Sequence, residues 1–260
     1  MSRTALGDLI IHDHVDDSRL TSTTPAARGH FHAALALRFG EAPESAELSE
    51  DFVGLRHHPR ADGTIEISCD GVIKSLHKLI IDRPLPKGYT CSSPLPDDAM
   101  RILRTSGGDD DPPIPEELPF ARQVGGTIGF ITTAVRVDAN FSDCAISRYI
   151  NPQRLTRRVL RLLLRIADYL ASTASLHLHL AAPARVTAPD GTRTLDLFEA
   201  FTDSSHANDE DGLGWGGFVL MTIPRPDAPP TGAIAWKCML PPEGFDSPGA
   251  AELRIGSTAL

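Results

Sequence analysis

The residues best placed to do chemistry stand near the start of the chain, in Leu9-Ile10-Ile11-His12-Asp13-His14-Val15-Asp16-Asp17-Ser18. An apolar run climbs into the adjacent carboxylates Asp16 and Asp17, and Arg19 to Pro25 reads as a turn-rich stretch. A strand that ends in two aspartates at a tight turn offers hard oxygen ligands. Mg²⁺ prefers these, keeping several waters and borrowing phosphate oxygens from a substrate. Neighbouring strand side chains face opposite ways, but at a hairpin tip one carboxylate can face the groove while the other supports it. Aspartate is also a common turn and N-cap residue, so the pair equally reads as a cap. A separate metal reading takes His12, His14 and Asp16, whose i, i+2, i+4 spacing shares one strand face, as ligands of a metal-dependent hydrolase.

Two further stretches carry charge or glycine in a suggestive pattern. Arg154 to Leu170 is the clearest helix. Leu155, Val159, Leu162, Leu163, Ile166 and Leu170 form its apolar face, and Arg154, Arg157, Arg158, Arg161 and Arg165 form another. That basic face is either a solubilising surface or a contact for nucleic-acid phosphates, since no acid interrupts it before Asp168. Val124-Gly125-Gly126-Thr127-Ile128-Gly129-Phe130 lacks the Lys-Ser or Lys-Thr of a phosphate loop, so close helix packing is the simpler account of its glycines. Asp109-Asp110-Asp111 lacks the spaced ligands and distal Glu of a calcium loop and reads as a solvated linker.

The elements that must position these residues follow from periodicity. Ala26–Phe39 reads as a helix started by Thr24-Pro25 and stopped by Gly40. Ala61-Asp62-Gly63 signals a hairpin, with Thr64 to Cys69 as the returning strand. Val72–Ile81 is a short amphipathic helix, Leu85–Glu117 a proline-rich loop, and Phe120–Ile150 helical again. Leu195–Thr202, Gly216–Ile223 and Ala233–Met239 are strand candidates, and Ser247-Pro248 opens a last helix. A three-strand meander with one helix leaves an open edge and a half-covered face.

At 260 residues the chain is long enough to bury a core, and no stretch approaches the roughly 20 apolar residues of a membrane span. The N-terminus has no secretion-type pattern, so an intracellular protein, in cytoplasm or nucleus, is expected. Cys69, Cys91, Cys144 and Cys238 contain no C-x-x-C pair, which argues against structural zinc and for reduced core thiols. A net charge of −9 disfavours a free-standing nucleic-acid binder but permits a local basic face.

Taken in order, these pieces resemble the C-terminal part of a copia-like LTR-retrotransposon polyprotein: the end of the reverse transcriptase, then RNase H. His14-Val15-Asp16-Asp17 is similar to that family's Tyr-Val-Asp-Asp box, with His in place of Tyr. Phe52-Val53-Gly54-Leu55 and Asp62 to Ile67 resemble its Phe-Leu-Gly-Ile hairpin, and Val124 to Phe130 its Val-Gly-Ser-Leu segment. Arg136-Val137-Asp138 stands where the family has Arg-Pro-Asp. Pro152 and Asp168-Tyr169-Leu170-Ala171-Ser172-Thr173 resemble its Tyr-Leu-Lys-Gly-Thr element. Phe201-Thr202-Asp203, Gly217-Phe218-Val219, Ile234-Ala235-Trp236-Lys237 and Ala251-Glu252 resemble successive RNase H segments.

The resemblance implies an α+β chain. Its parts would be a palm remnant with its hairpin (1–90), a Pro/Gly/Asp-rich loop (91–118), a helical thumb or connection (119–180) and a truncated RNase H-like domain of three antiparallel strands and one helix (195–260). It implies two-metal phosphoryl transfer on RNA and DNA with Mg²⁺. Asp16 and Asp17 map to the polymerase site, and Asp203 and Glu252 to the RNase H site, as catalytic and metal-ligating residues. The remaining acids of both sites would lie outside the chain, so both are expected to be half-sites that hold Mg²⁺ weakly. A partner chain completing either site is compatible with this. An RNA–DNA hybrid or DNA, and no membrane, is the implied partner, gripped by Arg154, Arg157, Arg158, Arg161 and Arg165 in the non-catalytic alternative.

Overall fold

The computed structural model describes residues 2–4, 7–14, 17–40, 52–83, 85, 92–187, 191, 194–204 and 215–239; for 2–4, 12–14, 17–19 and 194–195 it describes the backbone alone. Two compact units, Met1–His58 and Pro59–Leu260, divide the chain. The division falls within the short strand β4 (Arg56–Pro59).

In the first unit, β1 (Ser2–Thr4), β2 (Gly7–His14) and β3 (Asp17–Ser22) make an antiparallel sheet in sequential order. Arg19–Ser22, expected as turn, is instead the returning strand, with Leu20 opposite Ile11 and Thr21 opposite Ile10. Such β-branched and apolar residues pair well across a pleated surface, and that outweighs the turn signal of the serines. Helix α1 (Pro25–Phe39) follows as its end signals dictate. The Thr24 hydroxyl accepts from the Ala27 N–H at 3.2 Å, Pro25 occupies the first turn, and Gly40 ends the helix at φ 85°.

The second unit is built around α6 (Arg157–Ser172). Its N-cap is Thr156, whose hydroxyl accepts from the Val159 N–H at 3.3 Å, so the helix starts three residues later than its periodicity implies. Leu155, Val159, Leu163, Ile166 and Leu170 are fully buried. Each such side chain contributes about 1.5–3 kcal/mol relative to exposure. Against α6 pack α2 (Asp70–Ile80), α3 (Ala99–Arg104), α4 (Leu118–Ala134) and α5 (Asn140–Ser147). α3 corrects the expectation that 91–118 is all loop: Ala99 and Leu103 are buried, and a single apolar turn is too short to register as helical periodicity. Close packing is the role of Gly125, where an added Cβ would lie 2.7 Å from Ile150 Cδ1.

The strands of this unit fall into short pairs and one longer meander. A hairpin turn at Gly63 (φ 83°) leads into β5 (Ile65–Ser68), which pairs antiparallel with β6 (Leu178–Leu180). β7 (Arg185–Thr187) and β8 (Thr194–Asp196) form a ribbon. β9 (Phe198–Ser204), β10 (Gly216–Thr222) and β11 (Thr231–Met239) form an antiparallel meander in the order β11-β10-β9. β11 crosses β6 at Gly232, where φ is +69° and an added Cβ would lie 2.3 Å from the His179 carbonyl oxygen, so only glycine fits. Small antiparallel sheets with segregated helices make the chain α+β. Among the described residues no helix is long and apolar enough to cross a membrane.

Candidate functional site

Two regions of the second unit collect chemically capable side chains that the sequence singles out. The first lies where α4 ends. The N–H groups of Val135 and Arg136 both reach the Ile131 carbonyl at 3.0 Å, turning the chain so that the Arg136 side chain runs inward, 1% exposed. Its Nε donates to Asp138 Oδ1 at 2.9 Å and its Nη2 to Asp138 Oδ2 at 2.8 Å, a bidentate pair. Nη1 donates to the Thr173 carbonyl at 3.1 Å and Nη2 also to the Thr173 hydroxyl at 2.8 Å. The Tyr169 hydroxyl donates to Asp138 Oδ2 at 2.7 Å, and the guanidinium lies 5.3 Å from the Tyr169 ring centre. Burial pushes the Asp138 carboxyl up, but the hydrogen bonds from Arg136 and Tyr169 and the nearby positive charge outweigh it and hold the carboxyl below its ordinary value. The same burial and the Asp138 bond push the Tyr169 hydroxyl up. Arg136-Val137-Asp138 and Tyr169 to Thr173, more than 30 residues apart, are thus tied into one knot with both Asp138 oxygens engaged.

The second region is a cavity of about 860 Å³ between α3, α5 and the β9–β11 meander. Asp203 on β9 lines it, in register with Gly217 and exposed. Phe141, Trp215 and Trp236 give it aromatic walls, and Arg104 and Lys237 are the cations among its lining residues. Phe141 and Trp215 meet edge-to-face at 5.5 Å. Asp203 Oδ1 accepts from the Ser204 N–H at 2.9 Å, the one hydrogen bond recorded for it among the described residues. No second carboxylate lines this cavity among them.

The structure thus brings Arg136, Asp138, Tyr169 and Thr173 together, and leaves Asp203 apart from them. Asp17 opens β3 in register with His14. Asp16 and Glu252 lie outside the described residues, as does the helix expected from Ser247. β2 ends at His14, so the shared strand face of His12, His14 and Asp16 extends past the described strand. Among the described residues no group of three or more His, Cys, Asp or Glu is placed to hold a metal ion.

The arginine face requires correction. Arg154 precedes α6 and lies over the Tyr149 ring, 4.5 Å from its centre. Arg165 is only 9% exposed, and its Nη2 donates to the Ser93 carbonyl at 3.3 Å. The covering chain around residue 93 comes from a segment remote in sequence, which a helical wheel does not show. Arg157, Arg158 and Arg161 remain exposed in the first two turns of α6, and no ion pair is recorded for them among the described residues.

One cluster escapes the sequence reading. Alternation along β5 would bury Ile65 and expose Glu66, yet Ile65 is 39% exposed and Glu66 7%. Glu66 is held by an ion pair with Arg60 and by His177 Nδ1 at 2.8 Å, with His179 Nε2 at 3.7 Å. His177 Nε2 in turn faces Asp70 Oδ1 at 3.4 Å. A buried carboxylate needs such partners. The available signal was the alternating His177-Leu178-His179 beside a glutamate-bearing strand. Both Glu66 oxygens are already engaged, so the cluster reads as structural.

No protein-family model, curated protein or solved structure matches this chain.

Proposed function

We propose that this chain is a portion of a copia-like retrotransposon RNA-directed DNA polymerase with RNase H, and that these 260 residues do not turn over substrate by themselves. The observation that carries the reading is the knot. Two segments singled out separately by their resemblance to the family meet through Arg136, Asp138, Tyr169 and Thr173. The β9–β11 meander, with Asp203 on its first strand, supports it further.

The ancestral chemistry is two-metal phosphoryl transfer, in which Mg²⁺ activates the attacking oxygen and stabilises the leaving one. Asp203 suits such an ion: it is an exposed hard-oxygen donor lining a cavity, engaged by one neighbouring N–H. Glu252 is its expected companion, and Asp16 and Asp17 form the polymerase pair.

Purified protein is to be incubated with Mg²⁺ and either an RNA–DNA hybrid or a primed RNA template. We expect neither cleavage nor extension. Robust Mg²⁺-dependent activity, lost in Asp203→Asn or Asp17→Asn, would overturn the claim of inactivity. A second reading, a hybrid-binding module, is favoured by the exposed Arg157, Arg158 and Arg161 at the start of α6. Cations there oppose the helix dipole and are relieved by a bound phosphate. It predicts salt-sensitive hybrid binding, and indifference of binding to salt would remove it.

A further inference from the structure

We propose that Cys144 on α5 and Cys238 on β11 form a peroxide-sensitive dithiol that closes to a disulfide and staples the helical layer to the meander. The geometry rests on two contacts from one face of α5. The Cys144 thiol donates to the Cys238 carbonyl at 3.4 Å, and one helical turn earlier Asn140 Oδ1 accepts the Cys238 N–H at 2.9 Å. Cys238 is therefore held against α5 directly beside Cys144, whose sulfur reaches its carbonyl oxygen. Both residues are partly exposed, and Cys238 lines the cavity that holds Asp203, which gives a small oxidant a way in. Cys69, by contrast, is buried.

The surroundings favour Cys144 as the attacking sulfur. The hydrogen bond from the Cys238 thiol holds the Cys144 thiol below its ordinary value against the effect of burial. Arg148 and Lys237 add to this and Asp143 opposes it. Cys238 keeps its proton correspondingly tightly. The Cys69 thiol is pushed up to about 11 by burial and the Asp70 charge. Attack by the thiolate is what controls such reactions.

The oxidant is hydrogen peroxide. The Cys144 thiolate attacks one peroxide oxygen, the O–O bond breaks, and the departing hydroxide leaves as water, giving a sulfenic acid on Cys144. The Cys238 sulfur then attacks the Cys144 sulfur. The S–O bond breaks, the leaving hydroxide takes the Cys238 proton to form a second water, and the S–S bond closes. Two thiols lose two electrons and two protons, and one peroxide becomes two waters.

The full chain is to be treated with a slight excess of peroxide, blocked with N-ethylmaleimide and digested without reductant for mass spectrometry. We expect the Cys144 and Cys238 peptides to be joined, lighter by two hydrogens than their sum, and released by dithiothreitol. Cys69→Ser should keep the link and Cys144→Ser should abolish it. Since the bridge spans 94 positions, the oxidised protein should melt about 5–10 °C higher than the reduced one. If both residues remain open to maleimide after peroxide, or if the links run instead to Cys69 or Cys91, the proposal fails. Faster alkylation of Cys69 than of Cys144 at neutral pH would also count against it.

Discussion

Asp138 has both carboxylate oxygens engaged by Arg136 and Tyr169 beside α6, whereas Asp203 on β9 takes one N–H from its neighbour. The same side chain, singled out by the same resemblance, is saturated in one place and open in the other. A carboxylate whose two oxygens already accept from Arg136 and Tyr169 has less to offer a metal or a proton in transit, and its work is holding α4 to α6. An open one contributes little to holding the fold and is available to a ligand. Occupancy of the oxygens, more than motif membership, separates a joint from a candidate reactive group.

The contrast can be broken hardest at Arg136. Arg136→Met should cost about 3–5 kcal/mol by chemical denaturation, because it leaves Asp138 and the Thr173 carbonyl without their buried donor. A loss below about 1 kcal/mol would show that the knot is dispensable. Gly232→Ala should cost roughly 2–3 kcal/mol, since the new Cβ meets backbone in a left-handed conformation. Tyr169→Phe, which removes one hydroxyl from the charged pair, should cost about 1.5–3 kcal/mol. Asp203→Asn should change stability by no more than about 0.5 kcal/mol. A larger loss would move Asp203 into the structural class.

Acid titration sharpens the same comparison, because Asp138 and Asp143 are displaced in opposite directions. The Asp138 carboxyl lies below its unfolded value, so its contribution is present above about pH 4. It is lost as pH falls through the folded value. Burial raises the Asp143 carboxyl despite the Thr132 hydrogen bond, so its contribution is present at low pH and is lost as pH rises through its folded value. Asp138→Asn should therefore flatten the loss of stability on acidification, and Asp143→Asn should flatten the opposing trend. Denaturation midpoints across pH 3 to 7, on the order of the ordinary carboxylate range, read both.

The smallest expected effect on the fold is at the arginines. Replacing Arg157, Arg158 and Arg161 with Ala together should leave stability nearly unchanged. If α6 grips phosphates, it should reduce the slope of log affinity against log salt by about 3. Arg165→Ala should instead lower stability, because that side chain is buried among protein atoms.

Periodicity exposed α1 and α6, but it read Phe120–Ile150 as one helical stretch where the chain turns at Val135-Arg136 and divides into α4 and α5. The apolar stripe of α6, the Thr24 and Gly40 boundaries of α1, and the strand at Gly216 all follow from local pattern, and local pattern is what decides them. The short pieces did not show. α3 is six residues long with only Ala99 and Leu103 buried, and β3 hid behind its serines and threonines. What buries Glu66 and Arg165 lies more than 70 residues away in sequence, as Ser93 does for Arg165, and no local window reaches that far. Asp138 and Asp203 both stood out through segments that resemble the family, but which of them was already held by other side chains was not legible. That depended on Arg136 turning inward at the end of α4.

The indole of Trp236 donates its N–H to the Thr132 carbonyl at 2.8 Å, so a chromophore on β11 is wired to the last turn of α4. The sequence has one other tryptophan, Trp215, which is buried against Phe141 with Arg148 5.9 Å from its ring centre. Both light emitters therefore sit on the seam between helices and meander. Their emission should shift to the red as soon as that seam parts, even while the α6 helix still gives its full circular-dichroism signal, which makes the protein carry its own optical gauge of layer separation.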